Sequence, residues 1–382
     1  MNYSIHPFGE EKMARTPRVL VVDDSPTRGR IISQILQSSQ NIEVLGIATD
    51  ARSARESIRS MQPDVVTLDL DLVRFDAIDF LEKLMLARPM PVVVLAEHTS
   101  AGGAATLRAL ELGAIDYVIK PSWDVLNNFD EVSRKVTARV LISARGSLRA
   151  SLRAVSDPWT PGEKSVRRTT KYSDHVIVVG AETGGAPALA RFLGKLPANA
   201  PAVLVAFPMP SRFTPVLAEW LNDRCALTVR EAEHGEKPQT GTVLIAPGNK
   251  HMRLRRHARS LVVELDDEAS IQYHRPSIDA LFASAATATG GKTIGVLLSG
   301  SGHDGAEGLL RIHADGGHTM VQDEWSSVTF DMQRRSIELD AAQDILPLES
   351  LSKRVVQILG ESESQKKKKK TTTKRKTSTV RR

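Results

Sequence analysis

Residues 19–25 read VLVVDDS, and that stretch decides the fold of the first third of the chain. Four aliphatic residues run straight into two carboxylates, the pattern of a short strand buried on both faces whose carboxyl end opens onto a polar rim. A similar run into carboxylates returns at 65–71, VVTLDLD, and at 116–122, DYVIKPS, a short apolar run ends on a lysine. Arg18–Asp23, Val65–Asp69, Pro91–Ala96 and Tyr117–Lys120 are therefore expected strands, with Glu43–Ala48 as a fifth. Between them Arg28–Ser38, Ala51–Met61 and Ala104–Leu112 carry apolar residues at helical spacing. This alternation predicts a doubly wound α/β sheet that binds its ligands outside the carboxyl ends of the strands.

That topology brings Asp23, Asp24, Asp69 and Lys120 to one rim of the sheet. Three crowded carboxylates repel unless a cation stands among them, and a hard divalent ion such as Mg²⁺ held by carboxylate oxygens answers the repulsion. The lysine is then placed to neutralise the oxygens of a transferred phosphoryl group. Taken singly, the residues have a plainer reading, in which the two aspartates cap the following helix and Lys120 forms a surface ion pair.

Together, VLVVDDS, VVTLDLD and DYVIKPS resemble the flavodoxin-like receiver domains of two-component signalling across residues 18–121. The resemblance implies a phosphoacceptor at Asp69 supplied by a chemotaxis histidine kinase, Mg²⁺ held by Asp23, Asp24 and Asp69, and a phosphoryl contact from Lys120. It also marks two switch positions, and one departs from the pattern. Ala96 stands where the family carries a Ser or Thr hydroxyl, while its aromatic partner is kept as Tyr117. A ligand shifts an equilibrium only through differential contacts, so loss of that hydroxyl predicts a weaker conformational answer to phosphorylation. The segment LDLVRFDAID lacks the usual Met-Pro and Gly, which predicts an acceptor loop of different shape.

A second alternation starts at His175. Expected strands lie near Val176–Val179, Ala202–Ala206, Val243–Ala246, Ile294–Ser299 and Thr319–Gln322, with helices at Pro187–Leu196, Pro215–Asn222, Ser277–Ala286 and Gly305–Ala314. A second doubly wound parallel-sheet domain follows. Its first motif, VIVVGAETGGAPAL, is a strand, a glycine turn and a helix start, the arrangement that exposes a nucleophile or cradles an anion. With VLVAFPMPSRFT, IAPGNKHMRL, YHRPSIDALF, GVLLSGSGHDGAEGL and VQDEWSSVTF, it resembles the chemotaxis protein-glutamate methylesterases of the CheB type over residues 175 to about 350. The resemblance implies ester hydrolysis and glutamine deamidation on chemoreceptor cytoplasmic tails.

Such hydrolysis needs a hydroxyl nucleophile, a histidine base and an orienting carboxylate. At the family's triad positions this chain carries Glu182 for serine and Pro208 for histidine, and keeps only Asp304. The Met usual three residues before that aspartate is Ser301. No histidine lies between His175 and His234 to replace the base. A Thr183/His303 pair is a candidate substitute, His251 and His274 fit structural or substrate-side roles, and Cys225 fits a buried small hydrophobe. The expectation is a phosphorylated regulator without esterase activity. An active esterase with another nucleophile, and a receiver-controlled nucleic-acid binder, stand as alternatives.

The 382 residues, 41% apolar and 25% charged, suffice for two cores. Residues 1–16 read as an arm, 17–122 as the receiver, 123–174 as a helix (Phe129–Arg145) and linker, 175–360 as the methylesterase-type domain, and 361–382 as a basic tail without a core. The +6 net charge is local, since residues 366–382 hold ten of the 51 Lys/Arg. The tail can meet phosphates, anionic lipid or an acidic protein surface, but it has no aromatic residues to stack bases, which argues against nucleic acid. The single cysteine precludes an intrachain disulfide, and the sequence has no apolar run of membrane-spanning length, so a cytoplasmic setting without membrane insertion is expected.

Overall fold

The computed structural model describes residues 15–120, 129–156, 175–271 and 274–362. Most of the expected arm, the connector beyond residue 156 and the basic tail from 363 lie outside the described residues. The chain divides into two compact units, each with its own parallel sheet.

In the first unit β1 (Arg18–Val22), β2 (Glu43–Ala48), β3 (Val65–Asp69), β4 (Val92–Ala96) and β5 (Asp116–Ile119) alternate with α1 (Pro26–Gln37), α2 (Ala51–Met61), α3 (Ala77–Ala87) and α4 (Ser100–Glu111). The all-parallel strand order β2-β1-β3-β4-β5 confirms the flavodoxin-like reading. β3 and β4 are buried at every residue, as expected for strands covered on both faces. The helix α3 goes beyond the expected ones: Asp76 caps it by accepting from the Ile78 and Asp79 N–H groups at 2.8 and 3.0 Å.

α5 (Phe129–Arg145), expected in the connecting segment, buries Val136 and Val140 in the first core beside Ile32, Ile35 and Val93. α6 (Leu148–Ser156) follows, and its Ser151 Oγ donates to the Gly113 carbonyl at 3.0 Å. The first unit thus reaches well past residue 122, because β5 needs α5 to cover it.

In the second unit the sheet order is β14-β13-β12-β6-β7-β9-β8, all parallel. The strands are β6 (Val176–Gly180), β7 (Val203–Ala206), β8 (Thr228–Glu231), β9 (Thr242–Ile245), β12 (Thr293–Leu297), β13 (His318–Gln322) and β14 (Asp344–Leu346). The helices are α7 (Gly185–Gly194), α8 (Thr214–Asn222), α9 (Ile278–Thr289), α10 (Ala306–Ala314) and α11 (Asp331–Glu338). An antiparallel hairpin, β10 (His251–His257) with β11 (Ser260–Asp266), forms its own two-stranded sheet. Met252, Leu254 and Val263 of the hairpin join Leu281 and Phe282 of α9 in one core, and burial of side chains of this size contributes roughly 1.5–3 kcal/mol each.

The strand order reverses direction between β6 and β12, and the crevice outside their carboxyl ends is where a sheet of this kind binds. Residues 181–183 and 298–304 supply that crevice. In the first unit the equivalent reversal falls between β1 and β3, beside Asp23, Asp24 and Asp69.

Candidate functional site

In the first unit the four rim residues named from the sequence lie at the carboxyl ends of β1, β3 and β5. Asp23, Asp24 and Asp69 are all buried, with Asp69 fully enclosed at the last position of β3. Lys120, just past β5, is held by its own N–H on the Ala96 carbonyl at 2.9 Å. Its Nζ lies 2.5 Å from Asp69 Oδ1 and 2.5 Å from Asp71 Oδ2. Asp71 is a participant the sequence reading did not single out. Ala96 is fully buried at the end of β4 and offers no hydroxyl, while Tyr117 is half-buried on β5.

The loop that follows β3 is tied down from the end of β1. Asp24 Oδ2 accepts the Val73 and Arg74 N–H groups at 2.6 and 3.0 Å. Burial would raise the Asp24 carboxyl, but those two N–H bonds and the Arg28 and Arg74 charges outweigh it and hold the group below the usual carboxylate range. Asp23 goes the other way, raised by burial and by its neighbour Asp69 against the Ser25 N–H and the Arg28 charge.

Three carboxylates and a buried Asp69 Oδ2 that lacks a hydrogen bond are the donor chemistry a hard divalent cation uses. Their arrangement is different: among the described residues no three His, Cys, Asp or Glu side chains are set to hold a metal ion. The expected Mg²⁺ ligands are brought together around a guanidinium instead. Arg28 lies 3.4 Å from Asp23 Oδ1, 3.1 Å from Asp24 Oδ1 and 3.5 Å from Asp69 Oδ2.

In the second unit the strand–turn–helix motif forms as expected. Gly184 turns with φ of +74°, and a Cβ there would lie 2.4 Å from Val328 Cβ, so only glycine fits between the turn and the neighbouring loop. Ser299 Oγ stitches the crevice, donating to the Thr183 carbonyl at 2.7 Å and accepting from the Val328 and Thr329 N–H groups at 3.2 and 3.1 Å.

Glu182 is buried just past β6, and its Oε2 accepts from Thr183 N–H at 2.6 Å, Ser301 N–H at 2.9 Å and Ser301 Oγ at 2.6 Å. Glu182 and Ser301, each singled out from the sequence, are therefore partners. Gly300 makes room for them, since a Cβ there would stand 3.0 Å from Glu182 Cβ and 2.4 Å from Met332 Cε.

Asp304 is committed to the N-terminus of α9. Its oxygens accept from Ser277 Oγ at 2.9 Å, Ile278 N–H at 2.8 Å and Asp279 N–H at 2.9 Å. The imidazole nearest to it is that of His274, whose Nδ1 is 3.6 Å away, buried and without a hydrogen bond. Pro208 lies two residues beyond β7, where no ladder bond is required of it, so its missing N–H disturbs nothing in the sheet.

The other candidates resolve by their contacts. His251 Nδ1 accepts from Ser277 N–H at 3.2 Å, which fixes the proton on Nε2 and points it at the Ala269 carbonyl at 3.1 Å. Both ring nitrogens are thus used in holding the fold. Cys225 is buried, and burial raises its thiol to about 11 despite the Leu227 contact. Thr183 is buried, whereas His303 is exposed and lines a polar cleft of about 290 Å³ with Gly302, Asp331, Arg334, Arg335 and Glu338. Among the described residues no helix is long and apolar enough to cross a membrane.

A flavodoxin-like unit with an acidic pocket at its switch point, followed in one chain by a parallel α/β unit with a strand–turn–helix motif at its own, defines a two-domain response regulator. Family models agree: the response regulator receiver domain matches residues 19–127 and the CheB methylesterase matches residues 177–355. A protein-glutamate methylesterase/protein-glutamine glutaminase of Bordetella parapertussis is 44% identical over 345 residues, covering 90% of this chain and 97% of that protein. A relative of the same description from Geobacter metallireducens is 39% identical over 356 residues, 91% of this chain and 96% of its own. The catalytic domain of the Thermotoga maritima CheB methylesterase is 34% identical and aligns with 49% of this chain and 99% of that domain, with a TM-score of 0.48. The chain belongs to the protein-glutamate methylesterase/protein-glutamine glutaminase family.

Proposed function

We propose that this chain is a chemotaxis regulator that accepts a phosphoryl group on Asp69 from a histidine kinase, and whose methylesterase-type domain engages chemoreceptor tails without hydrolysing them. The observation that carries the second half is Glu182. Its carboxylate takes up, through Oε2, the Thr183 N–H that follows the nucleophile position, together with both donors of Ser301. Those are the kind of groups that would otherwise stabilise a developing oxyanion. A fixed carboxylate there opposes a second negative charge, and an acylated carboxylate would be an anhydride rather than an ester.

The base position adds to this, because Pro208 has no proton to take or return. Asp304 has its oxygens turned to the start of α9. Loss of a triad nucleophile or base costs roughly 10⁶-fold in turnover. The domain retains its crevice and its fold, so binding is the activity left to it. For the first half, the support is a buried Asp69 with Lys120 against one oxygen, the arrangement that neutralises an incoming phosphoryl group.

The test is to incubate the purified chain with methyl-labelled receptors and assay both released methanol and co-sedimentation. Methanol at the blank level with receptor-bound protein is the expected result. Release that survives Glu182→Ala and is lost in Thr183→Ala or His274→Ala would overturn the reading. Acetyl phosphate labelling, expected in the unaltered chain and absent in Asp69→Asn, tests the acceptor.

A further inference from the structure

Arg28 stands where helix chemistry disfavours it. α1 starts at Pro26, and Ser25 caps it by accepting the Arg28 N–H at 3.4 Å, so Arg28 sits in the first turn. A cation there faces the positive end of the helix dipole, and the turn contains no acidic residue to offset it. A side chain in that turn leans back toward the helix N-terminus, which here is the rim of β1 and β3. A local choice that opposes its own helix and is repaid by carboxylates outside that helix is the mark of a site.

The repayment is specific. The guanidinium reaches carboxylates from two strands, Asp23 and Asp24 after β1 and Asp69 at the end of β3. Gly29 allows the approach, since a Cβ there would lie 2.8 Å from Ile47 Cγ2, and α1 packs tightly on β2 for want of it. Asp24 Oδ2 is already engaged by the Val73 and Arg74 N–H groups, and Oδ1 is the oxygen Arg28 holds. Asp23 Oδ1 is shared between Ser25 N–H and Arg28.

We propose that Arg28 is the built-in counter-ion of the acceptor pocket, and that its guanidinium and a divalent metal ion exclude one another there. A metal ion drawing on Asp24 Oδ1 and Asp69 Oδ2 must take the same oxygens Arg28 faces, and two cations within a few ångströms in a partly enclosed pocket repel strongly. Arg28 is 29% exposed, so it can swing to solvent and leave the three carboxylates to the metal. Metal binding is then a displacement, weaker than the carboxylates alone would give, and the pocket holds its charge without a metal ion.

Isothermal titration of MgCl₂ into the full chain and its Arg28→Met variant tests this, whether or not Asp69 takes a phosphoryl group. The variant is expected to bind Mg²⁺ roughly tenfold tighter or more, as deletion of a competing charge predicts, and binding by the variant alone counts the same way. Equal or weaker binding by the variant, or none by either protein, overturns the proposal. Should Arg28→Met lose its circular dichroism, the Arg28 Nε–H resonance of the unaltered chain decides. Slow solvent exchange that becomes fast on adding MgCl₂ supports displacement, and exchange that MgCl₂ leaves unchanged refutes it.

Discussion

Replacing Ser301 with Ala should reveal how far Glu182 depends on it. The substitution keeps the Ser301 N–H bond at 2.9 Å and removes only the hydroxyl that donates to Glu182 Oε2 at 2.6 Å. A short hydrogen bond to a carboxylate contributes about 1.5–3 kcal/mol, and Glu182 is buried. In a Glu182→Ala background the same hydroxyl has lost its acceptor, so Ser301→Ala there should cost close to nothing. The coupling energy of the double-mutant cycle is therefore about 1.5–3 kcal/mol. The chain has two units and is not expected to unfold in one step, so the assay is hydrogen exchange under increasing urea, read on peptides from β6 and β12 alone. A coupling below about 0.5 kcal/mol, the ordinary scatter of additive sites, would refute the idea that the two substitutions form one unit.

Two further outcomes concern the start of α9. Asp279 is raised from 3.8 to about 7 by burial and the Asp304 charge, against N–H bonds from Gly308 and Gly305. The folded chain then keeps a proton that the unfolded chain has lost, so stability falls as pH rises from about 4 to about 7 and is level above. Asp279→Asn should remove that fall, gaining up to about 4 kcal/mol over the unaltered chain at pH 8 and little at pH 4, and parallel pH profiles would count against it. Asp304→Ala strands Ser277 Oγ and the Ile278 and Asp279 N–H groups, at a cost of about 3 kcal/mol or more in urea unfolding of this unit. A loss under about 0.5 kcal/mol, the size of a surface substitution, would show that Asp304 is not the cap of α9.

The sequence by itself determined both sheets and the rim on which Asp23, Asp24, Asp69 and Lys120 meet, because aliphatic runs ending in carboxylates are a local signal that burial on both faces enforces. Through the family resemblance it also pointed to Glu182 and Pro208 as the residues at the expected nucleophile and base positions. It did not disclose the hairpin β10–β11, whose Arg-rich strand MRLRRH alternates too weakly to read as a strand without α9 to bury Met252 and Leu254. It placed α5 in a connector, since nothing local says that Val136 and Val140 will meet Ile32. Only the tertiary structure decided that Arg28 reaches two strands from the first turn of α1, that Asp71 shares Lys120, and that Ser301, 119 residues from Glu182, donates to it twice. Those are contacts between chain ends of different strands, fixed by where the sheet reverses, and no residue spacing encodes them.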